Sequence, residues 1–206
     1  MNKYELTTET LQFAGRTLHR IKAVKDFGSI QAGEFGGWIE NEKNLSQDDN
    51  AWIYYNAMVF DNANVFGNAK ILGNAKVYDN AMVYGNAMVY GNAEILGNAK
   101  VYGYAKVYDN ANIDDYAEVY GRVVIKGDAK VHDAVDYIVF KNFWSSGRYF
   151  TWTSSNNKWS VGCFYGTGEE LIKKAYADSE KSGREYERVV MYVESILADE
   201  KKEKSN

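Results

Sequence analysis

The chain contains no proline and only one cysteine, Cys163, among its 206 residues. The lack of proline excludes proline-rich linkers and collagen-like segments. One thiol cannot form an intramolecular disulfide, which is typical of proteins from a reducing compartment. No apolar run approaches the roughly 18 residues that a membrane helix needs, and the first ten residues lack the apolar run of a secretory signal. We therefore expect a cytoplasmic protein that does not enter a membrane.

A strong excess of one charge is also missing. The net charge is −4, and residues 1–50, 51–136 and 137–206 contribute −2, −3 and +1. General nucleic-acid binding usually leaves a basic footprint, so we expect none. The last of these segments is the most favourable part of the chain for binding an anion.

The middle of the chain is dominated by a six-residue repeat. Val or Ile recurs at every sixth position from 53 to 131, which gives 14 consecutive hexads without an insertion, and Ala recurs at every sixth position from 51 to 117. A period of six cannot keep one face of a helix that has 3.6 residues per turn. It is a multiple of the strand period of two, and most units carry a Gly-Asn or Asp-Asn turn signal. The repeat therefore predicts short strands stacked along an axis, a β-solenoid.

This pattern resembles that of the hexapeptide-repeat proteins, in which an aliphatic residue is followed four positions later by a small one, as in Val83 and Ala87. The resemblance implies a left-handed parallel β-helix with three hexads per coil, so that 14 hexads make between four and five coils. We expect an all-β solenoid with a small α+β module at its C-terminal end. The expected divisions are an N-terminal cap over 1–50, the β-helix over 51–136 and a strand-then-helix module over 137–206.

The two ends of the repeat should be covered, because a solenoid exposes unpaired strand edges there. The glycines of AGEFGGW, residues 32–38, predict sharp turns in the N-terminal cap. After the repeat, 137–143, 149–153 and 159–164 have the pattern of three short strands. Thr167 with Glu170, and Ser182 with Glu185, predict two helix-capping boxes, each opening a helix.

Few residues of this sequence offer catalytic chemistry. The hexapeptide acyltransferases that the chain resembles use a His as general base and bind an acyl-CoA along the coils. Here the histidines are His19, in the cap, and His132, which follows an aliphatic position and should face outward. His132 is thus a weak candidate for a base, against a plain surface role. We expect Cys163 to be a buried structural thiol.

No Cys/His cluster has metal-ligand spacing, and we predict no metal site. Asp114, Asp115 and Glu118 could chelate Ca²⁺, although acidic residues at solenoid corners are usually just solvated.

Large residues follow most aliphatic positions and should point outward. With three hexads per coil, one column of them is entirely aromatic. Such a column either stacks between coils or marks an interface, and we predict that it forms the oligomer interface of a homotrimer. Its members are Phe66, Tyr84, Tyr102 and Tyr120.

A second cluster, over 141–159, interleaves aromatic and basic residues. Backbone amides beside an arginine can hold a phosphate, and aromatic faces can stack a base, although the aromatics would also serve as the core of a small sheet. We predict a ligand-binding site here. Its members are Trp144, Ser146, Gly147, Arg148, Tyr149, Trp152 and Lys158.

Over nearly its whole length the sequence is similar to transferase-like hexapeptide-repeat proteins common in bacteriophages and prophages. The opening that begins LHRIKAVKDFGSIQAGEFGGW and the GCFYGTGEEL element carry this likeness. It implies a phage-type protein acting in the cytoplasm of a bacterial host.

Three functions follow as hypotheses. The leading one is a non-catalytic, anti-defence binding protein that holds a nucleotide-like ligand or a host protein and needs no cofactor. The alternatives are an acyltransferase that uses acyl-CoA, and a structural oligomerising scaffold.

Overall fold

The computed structural model describes residues 2–144 and 146–203, with only the backbone of 200 and 201. The chain forms two compact units, one ending at Tyr137 and the other beginning at Ile138. The expected cap over 1–50 thus belongs to the same unit as the repeats. No helix in the described part of the chain is long and apolar enough to cross a bilayer.

The N-terminal segment is a β-meander that extends one sheet of the repeats. Strands β1 (Tyr4–Phe13), β2 (Arg16–Ala23) and β3 (Phe35–Ile39) pair antiparallel in order. β3 then pairs in parallel with β5 (Met58–Val59), the second repeat strand. A 3₁₀ turn, Glu42–Asn44, leads into the coils. The leader therefore pairs with the solenoid through backbone hydrogen bonds.

The expectation that the glycines of residues 32–38 form sharp turns is correct for only one of the three. Only Gly33 lies at a turn with positive φ, at 92°, whereas Gly36 and Gly37 lie inside β3. A Cβ atom would stand 2.5 Å from Ile21 Cγ1 at Gly36, and 2.5 Å from the Ala57 carbonyl oxygen at Gly37. These two glycines are needed for close packing within a sheet and not for bending the chain.

The hexads form a parallel β-solenoid, as the repeat predicts. In the described residues each hexad contributes one two-residue strand, and strands eighteen residues apart pair in parallel register, for example Met88–Val89 with Lys106–Val107. Three such strands make one coil. The remaining repeat strands are β4 (Trp52–Ile53), β6 (Asn64–Val65), β7 (Lys70–Ile71), β8 (Lys76–Val77), β9 (Met82–Val83), β10 (Met88–Val89), β11 (Glu94–Ile95), β12 (Lys100–Val101), β13 (Lys106–Val107), β14 (Asn112–Ile113), β15 (Glu118–Val119), β16 (Val124–Ile125) and β17 (Lys130–Val131).

Three sheets form the faces of the solenoid. The strands β4, β7, β10, β13 and β16 form one, and β6, β9, β12 and β15 form the second. The third contains β5, β8, β11, β14 and β17 and continues into the leader. All fourteen repeated Val and Ile side chains are fully buried, and so are the repeated Ala side chains to within 1 %. The core is therefore a stack of identical layers, whose methyl groups fill the interior.

Asparagine ladders run along the corners. Each corner has one residue with positive φ, usually Gly but also Asp, as at Asp79 with φ 57°, followed in most hexads by Asn. Asn side chains of successive coils hydrogen-bond to one another, for example Asn68 Nδ2 to Asn86 Oδ1 at 3.3 Å. The Asp79 carboxylate also accepts a hydrogen bond from the Gly97 amide of the next coil, at 3.1 Å. These contacts satisfy polar corner groups that the strand ladders leave unpaired.

The C-terminal unit is a small antiparallel sheet with two helices. Its strands are β18 (Tyr137–Lys141), β19 (Tyr149–Thr153), β20 (Lys158–Val161) and β21 (Phe164–Gly166), which pair in that order. The expected third strand is thus two strands joined by a turn at Gly162, where φ is 56°.

The helices confirm one of the two predicted caps. Thr167 and Glu170 form the capping box that opens α1, Gly168–Asp178. The second predicted box is wrong, because α2 spans Glu180–Glu203 and Ser182 lies inside its first turn. There the Ser182 amide donates to the Ser179 hydroxyl at 3.1 Å.

The core of this unit is largely aromatic. Buried side chains from β19, β20, α1 and α2 form one cluster, with Trp144, Tyr186 and others packed at its edge. The buried members are Phe150, Trp152, Trp159, Val161, Leu171, Val190 and Val193.

Candidate active site at the last coil

The imidazole of His132 lies on the surface at the end of the solenoid. The preceding residue, Val131, is fully buried as the last aliphatic layer. Strand alternation turns the next side chain outward, and the His132 side chain is 49 % exposed. The repeat therefore positions this side chain toward solvent at the end of one face.

His132 Nδ1 contacts a carboxylate oxygen of Asp114. Asp114 precedes it by eighteen residues, which is one coil, so the two side chains are neighbours in the same outward column. Asp115 follows at the corner, and its Oδ2 lies 3.9 Å from His132 Nδ1. The side chain of Asp114 is 22 % exposed and that of Asp115 is 73 % exposed.

The backbone around His132 is held by a 3₁₀ turn, Ala134–Asp136. The Asp136 carboxylate accepts hydrogen bonds from the backbone amides of His132, at 2.8 Å, and of Asp133, at 3.1 Å. Asp133 caps the turn through its own carboxylate. The imidazole therefore extends from a fixed backbone.

This arrangement determines which ring nitrogen can accept a proton. An ionised carboxylate has only acceptor atoms, so the Nδ1 that contacts Asp114 must carry the hydrogen. In the neutral imidazole the lone pair is then on Nε2, which is the atom that a general base needs. The sequence identified His132 but missed Asp114 as its partner. The signal was present, because the two positions differ by one coil of eighteen residues.

A shallow groove lies on the same face. Its volume is about 300 Å³, and Phe13, Arg16, Phe60, Lys76 and Tyr78 contribute to its lining. Phe60 and Tyr78 occupy the outward column that continues toward Asp114 and His132. Both polar and apolar groups therefore follow this column along the coils.

The predicted interface column is a continuous stack of rings. Phe66 lies 4.7 Å from Tyr84, Tyr84 lies 4.8 Å from Tyr102, and Tyr102 lies 5.3 Å from Tyr120, between ring centroids. The rings stack between coils and keep their edges at the surface, with Tyr120 52 % exposed. Stacking is thus present, and the oligomer interface stays a prediction.

Glu118 does not join the acidic cluster at the last coil. Its carboxylate lies 2.8 Å from Lys100 Nζ and accepts a hydrogen bond from the Tyr102 hydroxyl at 3.3 Å. The hydrogen bond and charge of Lys100 hold the pKa of Glu118 below its ordinary value. Of the three acidic residues considered for a cation, only Asp114 and Asp115 lie together, and they are joined by His132 instead.

The aromatic residues of the predicted ligand cluster are largely packed inside the C-terminal unit. Trp152 is 3 % exposed, and its indole N–H donates to Asn157 Oδ1 at 2.9 Å. Trp144 packs against Phe150 and Tyr186, with ring centroids 6.0 and 6.2 Å away. These two rings contribute to the core, the alternative that the sequence left open.

The polar members of that cluster lie at the surface. Ser146, Gly147 and Arg148 are exposed, while Tyr149 and Lys158, each at the start of a strand, are half-buried. Gly147 has a φ of 66°, which marks a turn. The structure thus separates this cluster into a packed aromatic part and an exposed turn.

Cys163 and His19 are the remaining residues that the sequence singled out. Cys163 is exposed, which corrects the expectation of a buried thiol, because it lies in the turn between β20 and β21 and not within a strand. His19 lies on β2, paired with Thr10 and Ile39, and is half-buried.

A comparison with known proteins gives one partial match. A 62-residue alignment is 39 % identical to a protein of Escherichia coli (strain K12) described as "Uncharacterized acetyltransferase YdcK", and it covers 26 % of this chain. The chain is built as a hexapeptide-repeat β-solenoid. The match spans only 19 % of that relative's length. No protein-family model matches the chain.

Proposed function

We propose that this protein is an acyltransferase that moves an acyl group from acyl-coenzyme A to a hydroxyl or amine, with His132 as general base. The observation that supports this most is the contact between His132 Nδ1 and Asp114, which leaves Nε2 as the exposed proton acceptor. The partial likeness to a protein described as an acetyltransferase points to the same chemistry. The repeat fold adds to this only as an analogy, because a fold does not determine a reaction.

The reaction needs one base and one leaving thiol. Nε2 of His132 takes the proton from the acceptor while the acceptor's oxygen or nitrogen forms a bond to the thioester carbonyl carbon. The carbon–sulfur bond then breaks, and the coenzyme A sulfur leaves with the proton returned by the imidazolium. Asp114 is a positioning residue, because it keeps the hydrogen on Nδ1 and stabilises the imidazolium that forms.

Native mass spectrometry of the untagged protein, followed by a rate assay, tests this proposal. We expect a retained mass of coenzyme A or acyl-coenzyme A on the purified chain. With acetyl-coenzyme A and a panel of amino sugars, amino acids and polyamines, release of the coenzyme A thiol should depend on an acceptor. His132→Gln should lower kcat by about 10²–10⁴-fold, and Asp114→Asn should lower kcat with little change in KM.

His19→Gln is the matched control, because it removes the chain's other imidazole from a half-buried position in the leader. A His132→Gln protein that transfers acyl groups at the wild-type rate would exclude this mechanism. Failure of acetyl-coenzyme A to bind at millimolar concentration would also count against it.

A second candidate is the phage-type, non-catalytic binding protein expected from the sequence. The specific observation in its favour is that Ser146, Gly147 and Arg148 are exposed together on one turn. Such a turn can offer backbone amides and a guanidinium to a phosphate. Titration with ATP and with inorganic phosphate tests it. Arg148→Ala should abolish binding while His132→Gln should not, and equal binding by the wild type and Arg148→Ala would contradict it.

A further inference from the structure

One imidazole and two carboxylates converge at the last coil. Among the described residues, donor atoms of Asp114, Asp115 and His132 all lie within 4.8 Å of one another. Asp114 and Asp115 are adjacent residues of one coil, and His132 comes from the next coil. The group is therefore created by the eighteen-residue spacing and cannot form within one hexad.

The spacing suits a metal ion after a small adjustment. Zinc binds imidazole nitrogen and carboxylate oxygen at about 2.0–2.2 Å, so donors in a tetrahedral site lie about 3.4 Å apart. Asp115 Oδ2 is 3.9 Å from His132 Nδ1. Its side chain is 73 % exposed, so a change of rotamer can bring the oxygen closer. The 3₁₀ turn holds the backbone of His132, and the direct contact between its ring and Asp114 opens when an ion enters between them.

Charge around the group favours a cation. Asp133 and Asp136 follow on the 3₁₀ turn, where the Asp136 carboxylate accepts a hydrogen bond from the His132 backbone amide at 2.8 Å. Two acidic residues thus contact the imidazole, and two more lie on the adjoining turn. A cluster of one sign attracts ions of the other sign.

The kind of donor selects the kind of metal. Ca²⁺ and Mg²⁺ prefer oxygen ligands alone, whereas imidazole nitrogen suits zinc and its neighbours in the first transition row. One nitrogen with two carboxylate oxygens leaves a fourth tetrahedral position for water. We infer that Asp114, Asp115 and His132 form a binding site for a divalent transition-metal ion of the Zn²⁺ class, and that the bound ion switches off the base.

The inhibitory part rests on the proposed function, whereas the binding part does not. An ion on Nδ1 displaces the hydrogen that Asp114 holds there. A neutral imidazole ligated through Nδ1 carries its hydrogen on Nε2, so Nε2 becomes a donor and has no lone pair for a proton. Metal and general-base catalysis are therefore mutually exclusive at this side chain.

The binding test uses Co²⁺ as a spectroscopic probe and Zn²⁺ in calorimetry, on the full chain without a histidine tag. We expect one ion per chain and a visible absorption band typical of tetrahedral Co²⁺. His132→Gln and Asp115→Asn should each raise the dissociation constant for the metal by at least about tenfold. Even mutation of residues that only hydrogen-bond to metal ligands lowers metal affinity by about 10–100-fold.

Two controls match these variants. His19→Gln removes the other imidazole, and Asp79→Asn changes an aspartate at the equivalent corner two coils earlier, also with positive φ. Both should bind as the wild type does. Circular dichroism confirms that each variant is folded. Absence of the Co²⁺ band, or unchanged affinity in Asp115→Asn, would overturn the inference.

The kinetic test separates the two proposals. If acyl transfer is observed, Zn²⁺ should inhibit it and a chelator should restore it. The Zn²⁺ concentration for half-inhibition should rise at least about tenfold in Asp115→Asn, measured against that variant's own metal-free rate. Inhibition with equal potency in this variant would contradict the switch. If no acyl transfer is found, the proposed function fails while the Co²⁺ titration still decides the metal site.

Discussion

Tyr84 and Tyr102 stack face to face, with their ring centroids 4.8 Å apart and their planes inclined by 2°. They come from adjacent coils, so the spacing of the rings follows the spacing of the strands, about 4.7–4.9 Å. Phe66 and Tyr120 extend the stack at either end. The column therefore strengthens the contact between coils along one face.

Removing one ring from the middle of this column should destabilise the solenoid. Tyr84 stacks on two neighbours, and each aromatic pair contributes about 0.5–1.5 kcal/mol beyond its buried area. We expect Tyr84→Ala to lower the free energy of unfolding by about 1–3 kcal/mol, measured by urea denaturation. Tyr116→Ala, at a corner and 78 % exposed, is the control and should change it by less than about 0.5 kcal/mol. Equal effects of the two changes would argue against a stabilising stack.

The same column is the predicted interface of a homotrimer. Placing carboxylates on it, with Tyr84→Asp and Tyr102→Asp together, should yield monomers, because burying unpaired charges is costly. Light scattering measures the mass, and circular dichroism shows whether the monomer is folded. Tyr116→Asp should keep the wild-type mass. A folded double variant that stays trimeric would exclude this face as the interface.

The interior has no space for a larger side chain at the small positions. Ala87 is completely buried, and the equivalent positions of the adjacent coils are also alanines. We expect Ala87→Leu to cost about 1–3 kcal/mol through overpacking, seen as a lower urea midpoint. Met88→Leu changes the neighbouring outward position, which is half-buried, and should cost less than about 1.5 kcal/mol. A tolerated leucine at 87 would mean that the layers can move apart.

Alkaline pH should destabilise the unit that ends at Tyr137. Burial, with a smaller contribution from negative charge at Tyr120, raises the pKa of Tyr137 from its ordinary value of 10.0 to about 12. Its neutral hydroxyl donates to the Glu118 carbonyl oxygen at 2.8 Å. The unfolded chain loses this proton more readily, so the stabilisation is complete below pH 10 and is lost as the pH rises through about 12.

Urea midpoints measured from pH 9 to 12 test this dependence. Tyr137→Phe should be less stable at pH 9, because it loses the hydrogen bond, and should show a shallower decline toward pH 12. Tyr78 and Tyr90, whose pKa values burial also raises to about 12, contribute to the decline that remains. So do Tyr4 and Tyr102, whose pKa values burial also raises. Identical slopes for the variant and the wild type would contradict the assignment to Tyr137.

The sequence predicts the solenoid well because its order is local and periodic. Most hexads contain a buried Val or Ile, a small Ala and a Gly-Asn or Asp-Asn corner. Equivalent residues of successive coils therefore have the same surroundings. Prediction was weaker where partners come from outside the repeat. Gly36 belongs to a glycine-rich segment typical of turns, yet it lies in β3, where the absence of a Cβ atom lets Ile21 pack closely against it. Cys163 was placed in a strand, whereas it lies in the turn after β20.

One of the two residues in the proposed general-base pair, His132, could be predicted from the sequence. His132 was identified and placed on the outer surface by strand alternation alone. To predict that Asp114 contacts His132, one must know both that a strand recurs every six residues and that a coil contains eighteen, because residues eighteen apart lie side by side. In the C-terminal unit no such period exists, so which aromatics of 141–159 enter the core, as Trp152 does, depends on helix packing that residue types do not specify.

The eighteen-residue pairing of strands has a consequence for how such a chain can change its length. Duplicating three consecutive hexads adds one coil to the solenoid. Every outward column stays aligned, including the asparagine ladders. Duplicating a single hexad preserves the alanine and valine layers but rotates everything downstream by a third of a turn. A hexad added between Asp114 and His132 would place them on different faces, and one added between Phe66 and Tyr120 would break the tyrosine column. The columns therefore make the chain tolerant of growth by whole coils and intolerant of growth by single hexads.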